Sequence, residues 1–335
     1  MFQILQDELK NLKLAVENEK GKKGKGKGGK AGKKGKGKKD KKKDKGKKGK
    51  KEKDPTANRT MESLIEEIVQ AGILQRNSPI YLNSFLGEFD YMKGTMDTDP
   101  VILPSLGEVK KAITEYCILP FGIDPFTIPF PKITSLMLYG PVGSGKSHLV
   151  KAIATELGAQ IFNLSPRNTA GEYIGKANVA KMVHVAFKVA RAQSPSIIYI
   201  DGIEMVFAKK VPKDDTSDPK RIKKDLLKTL KLIKDPSEKV IVICTSSKPW
   251  DCEVKALQGM FDKMIYCPKP DYSSRMTIWQ HYVHEACKET RSINFSILSR
   301  SSAGMTTGSI KAVCHRILTE SRLKKVYLSS NKDKI

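Results

Sequence analysis

The run Gly140-Pro141-Val142-Gly143-Ser144-Gly145-Lys146-Ser147 sets two glycines, a lysine and a serine at the spacing Gly-x-x-x-x-Gly-Lys-Ser, with a third glycine and a second serine inside it. Small residues let successive backbone N–H groups turn inward, while the lysine adds a cation and the serine a hard oxygen. That chemistry suits a polyphosphate carried with magnesium, ATP with Mg²⁺ being the expected cofactor. Lys146 would meet the outer phosphates, Ser147 the metal, and His148 begins the helix that follows. Further along stands Ile197-Ile198-Tyr199-Ile200-Asp201-Gly202-Ile203-Glu204. Its apolar residues read as a buried parallel strand, with Asp201 at the end to hold the magnesium shell beside Ser147. Next comes Gly202, which has no side chain to orient an attacking water. Glu204, two residues along a strand, would point to the same face one repeat further out, and is the remaining carboxylate for base chemistry. These residues describe binding of a nucleotide more clearly than its cleavage.

The elements needed to position them are legible. An apolar run from Ile133 to Tyr139 precedes the loop, and a helical pattern from Lys146 to Leu157 follows it. Strand-like Gln160 to Leu164, helical Asn178 to Arg191, the Asp201 strand, helical Arg221 to Lys234 and strand-like Val240 to Cys244 continue the alternation. The pattern predicts an α/β fold: a parallel sheet flanked by helices, with ligand at the carboxyl ends of the strands. After Pro270 the pattern is all helical, Ser274 to Lys288 and Ser309 to Tyr327, and reads as a small lid. Two helices precede the domain, Met61 to Leu74 with a stop near Gly72, and Leu106 to Ile118. The expected organisation is a coiled-coil-like segment at 1–19, a lysine- and glycine-rich segment at 20–55, a helical lead-in at 56–110, the nucleotide domain at 111–270 and the lid at 271–335.

Charge is unevenly spread. Of the net +25 over 335 residues, Lys20 to Asp54 supplies +16 from 20 lysines and 4 acidic residues. Nothing larger than alanine in that segment is apolar, so it has no surface to bury and is expected to be disordered. Acidic polymers, such as the acidic tails of tubulin, suit it. No aromatics interleave the lysines, so base stacking is not expected and nucleic acid is the weaker partner reading. The six cysteines show no Cys-x-x-Cys spacing and read as reduced packing thiols. His281 and His284 lack a third metal ligand and read as ordinary helix residues. No run approaches membrane-spanning length, and Met1 to Lys20 is too charged for a secretory signal.

From about Ser84 to Tyr327 these residues resemble the AAA family of ring-forming ATPases. Ile118-Leu119-Pro120 ahead of the loop, Gly171-Glu172-Tyr173-Ile174-Gly175, Pro195-Ser196-Ile197-Ile198, Phe261-Asp262-Lys263, and Ile265-Tyr266 through Pro270-Asp271 and Arg275 carry the likeness in order. Within the family the chain is most similar to the branch that pairs an IQ motif with the AAA domain in the dynein regulatory complex of motile cilia. That likeness implies a cytoskeletal place in a ciliary or flagellar axoneme, with a nuclear place as the alternative suited to a lysine tail. No IQ motif is present, so a short isoform or fragment is expected, without calmodulin binding. The likeness also implies adenine near Leu86-Gly87, a pore-loop role for Tyr173, and a phosphate-sensing role for Ser247 where the family has asparagine. It implies trans-acting cations at positions held here by Met260 and Lys263. Methionine supplies no charge, and lysine lacks the bidentate fork of arginine. Weak or absent hydrolysis follows, with a scaffold or switch role; the alternatives are an active remodelling ATPase and a polybasic binding module.

Overall fold

A computed structural model of the protein describes residues 56, 58–90, 103–122, 133–171, 173, 175–209, 219–231, 238–287 and 293–324. The segments expected at 1–19 and 20–55 lie outside the described residues. The chain divides into two units, Met1–Thr60 and Met61–Ile335, and the second carries the fold.

Helix α1 (Met61–Gln70) buries Leu64 and Ile68, one turn apart on one face. It ends before Gly72, earlier than expected, and the chain enters a two-residue strand, β1 (Leu74–Gln75). Helix α2 (Leu106–Ile113) opens with a capping box in which Ser105 and Glu108 satisfy each other's backbone N–H groups. It continues through a π-helical stretch, Thr114–Ile118, into a last turn at Leu119–Gly122. Pro120 has no N–H to return to the carbonyl four residues back, and the widened stretch lies just ahead of it.

Next come β2 (Ser135–Tyr139), α3 (Lys146–Leu157), β3 (Gln160–Asn163), α4 (Lys176–Ala192), β4 (Ser196–Asp201) and the short α5 (Ile203–Val206). After them follow α6 (Lys223–Leu230), β5 (Val240–Ser246), α7 (Val254–Gln258) and β6 (Lys263–Tyr266). The sheet order is β1-β3-β4-β5-β2-β6. All pairings are parallel except the β1 edge, which runs antiparallel to β3. Successive residues of each strand alternate between two cores. Met137, Ile198, Ile200, Val240, Val242 and Cys244 face the core that holds α1 and α4. Leu136, Leu138, Ile197, Ile241 and Ile243 face the one that holds α2 and α3. Burial on both faces is why these strands read as unbroken apolar runs.

The lid consists of α8 (Tyr272–Ala286), α9 (Phe295–Ser301) and α10 (Thr307–Ile317), N-capped by Asp271, Asn294 and Thr306. Helix α9 is not expected from the sequence; at seven residues it is too short to show a periodic apolar face. Arg275 ties the lid together by donating to the Ser299 carbonyl at 2.9 Å and the Pro270 carbonyl at 2.7 Å. Among the described residues no helix is long and apolar enough to cross a membrane. The described cysteines are all unpaired, and burial pushes the Cys117 and Cys267 thiols up to about 12.

Candidate nucleotide site

The loop leaves β2 at Tyr139 and enters α3 at Lys146, so it crosses the carboxyl end of the sheet between two rigid elements. Gly145 caps the helix from a left-handed conformation. Its neighbour Gly143 also has positive φ, +82°, and a side chain there would come within 2.7 Å of Thr306 Oγ1. Glycine is needed at 143 on both counts. Pro141 and Val142 lead into Gly143, Ser144 lies between the two glycines, and Val142 is exposed.

Lys146 is buried. Its ammonium donates to the carbonyls of Gly140 at 2.9 Å and Pro141 at 2.8 Å, bracing the loop it belongs to. Burial pulls its pKa down, with Cys267, Asp201 and Glu204 opposing that shift. Ser147 is joined to the end of β4 by hydroxyls. Tyr199 OH lies 3.2 Å from Ser147 Oγ and 3.4 Å from Thr245 Oγ1, and Thr245 donates to Asp201 Oδ1 at 2.5 Å. The β4–β5 register sets this up, pairing Tyr199 with Ile243 and Asp201 with Thr245. Asp201 also has its backbone N–H on Ser165 Oγ at 2.8 Å. Hard oxygens from one serine and one carboxylate are the donor set magnesium takes when phosphates and waters complete its octahedron. Among the described residues no cluster of three His, Cys, Asp or Glu side chains offers an all-protein metal cage.

His148, on the first turn of α3, has Nε2 2.9 Å from Ser84 Oγ. Burial, then Lys311 of the lid and Lys151, lower its pKa. The ring of Phe85 would lie 3.0 Å from a side chain at Gly145. At Gly87 a side chain would meet Leu106 Cβ at 2.4 Å, so this glycine packs on the start of α2. The next residue, Glu88, donates its N–H to Ser274 Oγ of α8 at 3.1 Å. The lid also touches the loop directly, Gly308 N–H donating to the Gly143 carbonyl at 2.9 Å.

Several expected positions look different in three dimensions. Glu204 does not continue the strand. Gly202 is left-handed (φ 69°, ψ 48°) and caps α5, so Glu204 lies on a helical turn. From there its Oε1 accepts the Ser247 N–H at 3.4 Å, while Oε2 is buried without a hydrogen-bond partner. Ser247 lines a cavity of about 570 Å³ with Tyr139, Gly140 and Pro141. Met260 is buried in the core and presents nothing to a neighbouring molecule. The Lys263 ammonium lies 4.8 Å from the centre of the Tyr116 ring. Tyr173 places its hydroxyl 3.4 Å from Glu67 Oε1. His281 and His284 sit on α8, His281 4.0 Å from Glu285 and His284 beside the Phe295 ring.

Four residues near the loop escape a reading of motifs alone: Tyr199, Thr245, Phe85 and Gly308. Only Tyr199 carries a signal in the sequence, a phenol set among the isoleucines Ile197, Ile198 and Ile200.

Residues 136–269 match the model of the ATPase family associated with various cellular activities (AAA). The chain is 36% identical over 339 residues to mouse (Mus musculus) dynein regulatory complex protein 11, covering 96% of this chain and 39% of that protein. It is 30% identical over 210 residues to the Arabidopsis thaliana protein Suppressor of K(+) Transport Growth Defect 1, covering 62% of this chain and 47% of that one. The chain thus spans less than half the length of these relatives. The FIGL-1 AAA domain in complex with ADP superimposes with a TM-score of 0.59 at 24% identity, over 79% of this chain and 81% of that one. With its phosphate loop between β2 and α3 and its helical lid, the chain belongs to the AAA family as a nucleotide-binding module.

Proposed function

We propose that the protein is a Mg-ATP-binding AAA module that turns its nucleotide over slowly or not at all. On this reading it acts as a nucleotide-dependent scaffold or switch in a ciliary or flagellar axonemal complex. One observation supports it most: the loop, Lys146, Ser147 and Asp201 converge at the carboxyl end of the sheet, whereas Gly202 turns the backbone away from strand geometry. Backbone N–H groups of Gly143 to Ser147 would face the phosphates, aided by the helix dipole. Lys146 would leave its two carbonyls for the outer phosphates, and Ser147 and Asp201 would hold magnesium, which neutralises phosphate charge. Phe85, Gly87 and His148 would border the base and sugar beneath the lid. Nucleotide would then stabilise the fold by mass action, tying loop to lid.

The axonemal setting rests on the likeness to dynein regulatory complex protein 11, and the lysine-rich segment fits acidic tubulin tails as a contact. A second reading, an active remodelling ATPase, has one observation in its favour: the buried, unpartnered Oε2 of Glu204. Nucleotide affinity and phosphate release measured on one purified sample separate the two. Binding with turnover well below about one per second supports the scaffold. Turnover at or above that rate, abolished by Lys146→Ala, supports the enzyme.

A further inference from the structure

We propose that Tyr199 is a positioning residue of the magnesium site, an inference that rests on the Mg-nucleotide reading above. A serine oxygen has two lone pairs and one proton. A metal ligand must direct one lone pair at the ion, and free rotation about the Cα–Cβ and Cβ–Oγ bonds leaves that direction undefined. Tyr199 OH, 3.2 Å from Ser147 Oγ, takes one lone pair. The other lone pair and the proton are thereby confined to the remaining tetrahedral directions. The same phenol lies 3.4 Å from Thr245 Oγ1, which donates to Asp201 Oδ1 at 2.5 Å. With both protons committed in this way, the phenol and the Thr245 hydroxyl meet only as a 3.4 Å oxygen–oxygen contact: Tyr199 orients Ser147 on α3, Thr245 orients Asp201 on β4, and the two pairs lie side by side.

Each link is set by regular structure. Tyr199 is partly buried on β4 and paired across from Ile243, two residues before the Asp201–Thr245 pair. On that strand the flanking residues Ile198 and Ile200 are fully buried on the opposite face. The phenol is therefore directed to the α3 side by the pleat itself. Nothing in packing calls for its oxygen; phenylalanine would fill the same space. The hydroxyl's contacts are all to the residues of this site. Outer partners of metal ligands commonly change metal affinity by about 10–100-fold when removed, and one hydroxyl at hydrogen-bond distance belongs at the lower end.

The test is Tyr199→Phe in the full chain. Binding of a non-hydrolysable ATP analogue is measured by calorimetry over a magnesium titration and in EDTA. The inference expects the magnesium concentration at half-effect to rise about tenfold while affinity in EDTA is unchanged. It further expects Tyr199→Phe to add nothing in a Ser147→Ala background. A merely structural tyrosine would instead lower affinity equally with and without magnesium, and that result would overturn the proposal. So would an unchanged magnesium midpoint, or a parent whose binding ignores magnesium. A parent that binds no nucleotide at all would remove the site reading itself, and with it this inference.

Discussion

Replacing Lys146 by methionine separates what the site does for the fold from what it does for a ligand. The ammonium makes two charge-assisted hydrogen bonds, to Gly140 and Pro141, of about 1.5–3 kcal/mol each by general experience. Yet burial lowers its pKa, so the folded site holds the charge less favourably than water does. Desolvation therefore offsets the bonds. Methionine keeps the unbranched stem and removes the charge, and the Pro141 carbonyl retains the Ser144 N–H at 3.3 Å. We expect the ligand-free variant to lie within about 1 kcal/mol of the parent, a change of about 2–4 °C in Tm at most. With nucleotide the two should part. At a hundred times Kd a ligand adds about 2.7 kcal/mol, or roughly 5–10 °C for a domain of this size, and only the parent should gain it. Differential scanning fluorimetry with and without Mg-ATP reads both numbers. A ligand-free loss of many degrees would show that the lysine is a structural strut and that the offset argued here is wrong. Equal nucleotide shifts in parent and variant would show that the ligand binds elsewhere.

Gly202→Glu alone should raise phosphate release less than tenfold and cost about 1–2 kcal/mol in denaturant titration, because position 202 is left-handed; full recovery of an ordinary turnover would refute this. His148 should make the protein acid-sensitive. Its folded pKa lies below the ordinary histidine value of 6.5, so as pH falls the unfolded chain takes the proton first, and the stability present above pH 6.5 is lost toward the folded pKa. The fall in Tm between pH 7.5 and 5.5 should shrink in His148→Gln. Deleting residues 20–54 should weaken binding to polyglutamate at low salt at least tenfold, and binding by the full chain should fall steeply as salt rises. Equal affinity with and without the segment would remove it as the contact.

The parts of the fold that are legible in the sequence are those where one residue type does one physical task. Strand β2 ends at Tyr139 and helix α3 spans Lys146–Leu157, as the apolar pattern and the glycine loop imply, because burial on both faces leaves a continuous apolar run. The antiparallel β1 edge is not readable: two residues carry no period, and the pairing is fixed only when β3 is beside them. Extending the strand through Gly202 misplaces Glu204, because a left-handed glycine ends a strand and the backbone turn decides where the carboxylate goes. Met260 reads in sequence as a missing cation when it is a core residue. Motif position indicates which groups a family uses; exposure determines which ones a neighbour can reach. The placing of the Tyr199 and Thr245 hydroxyls beside Ser147 and Asp201 lies beyond sequence reasoning because it depends on cross-strand register.

The hydrogen bond from Gly308 to Gly143 makes the phosphate loop a fulcrum. Helix α10 begins at this contact and extends for 11 residues, about 16 Å at 1.5 Å per residue. A backbone adjustment at Gly143 too small to disturb the sheet would become a lateral sweep at the far end, about 3 Å for a tilt of 10° over that length. A partner gripping the outer end of α10 would then feel such an adjustment through leverage, with no change needed in the strands between them.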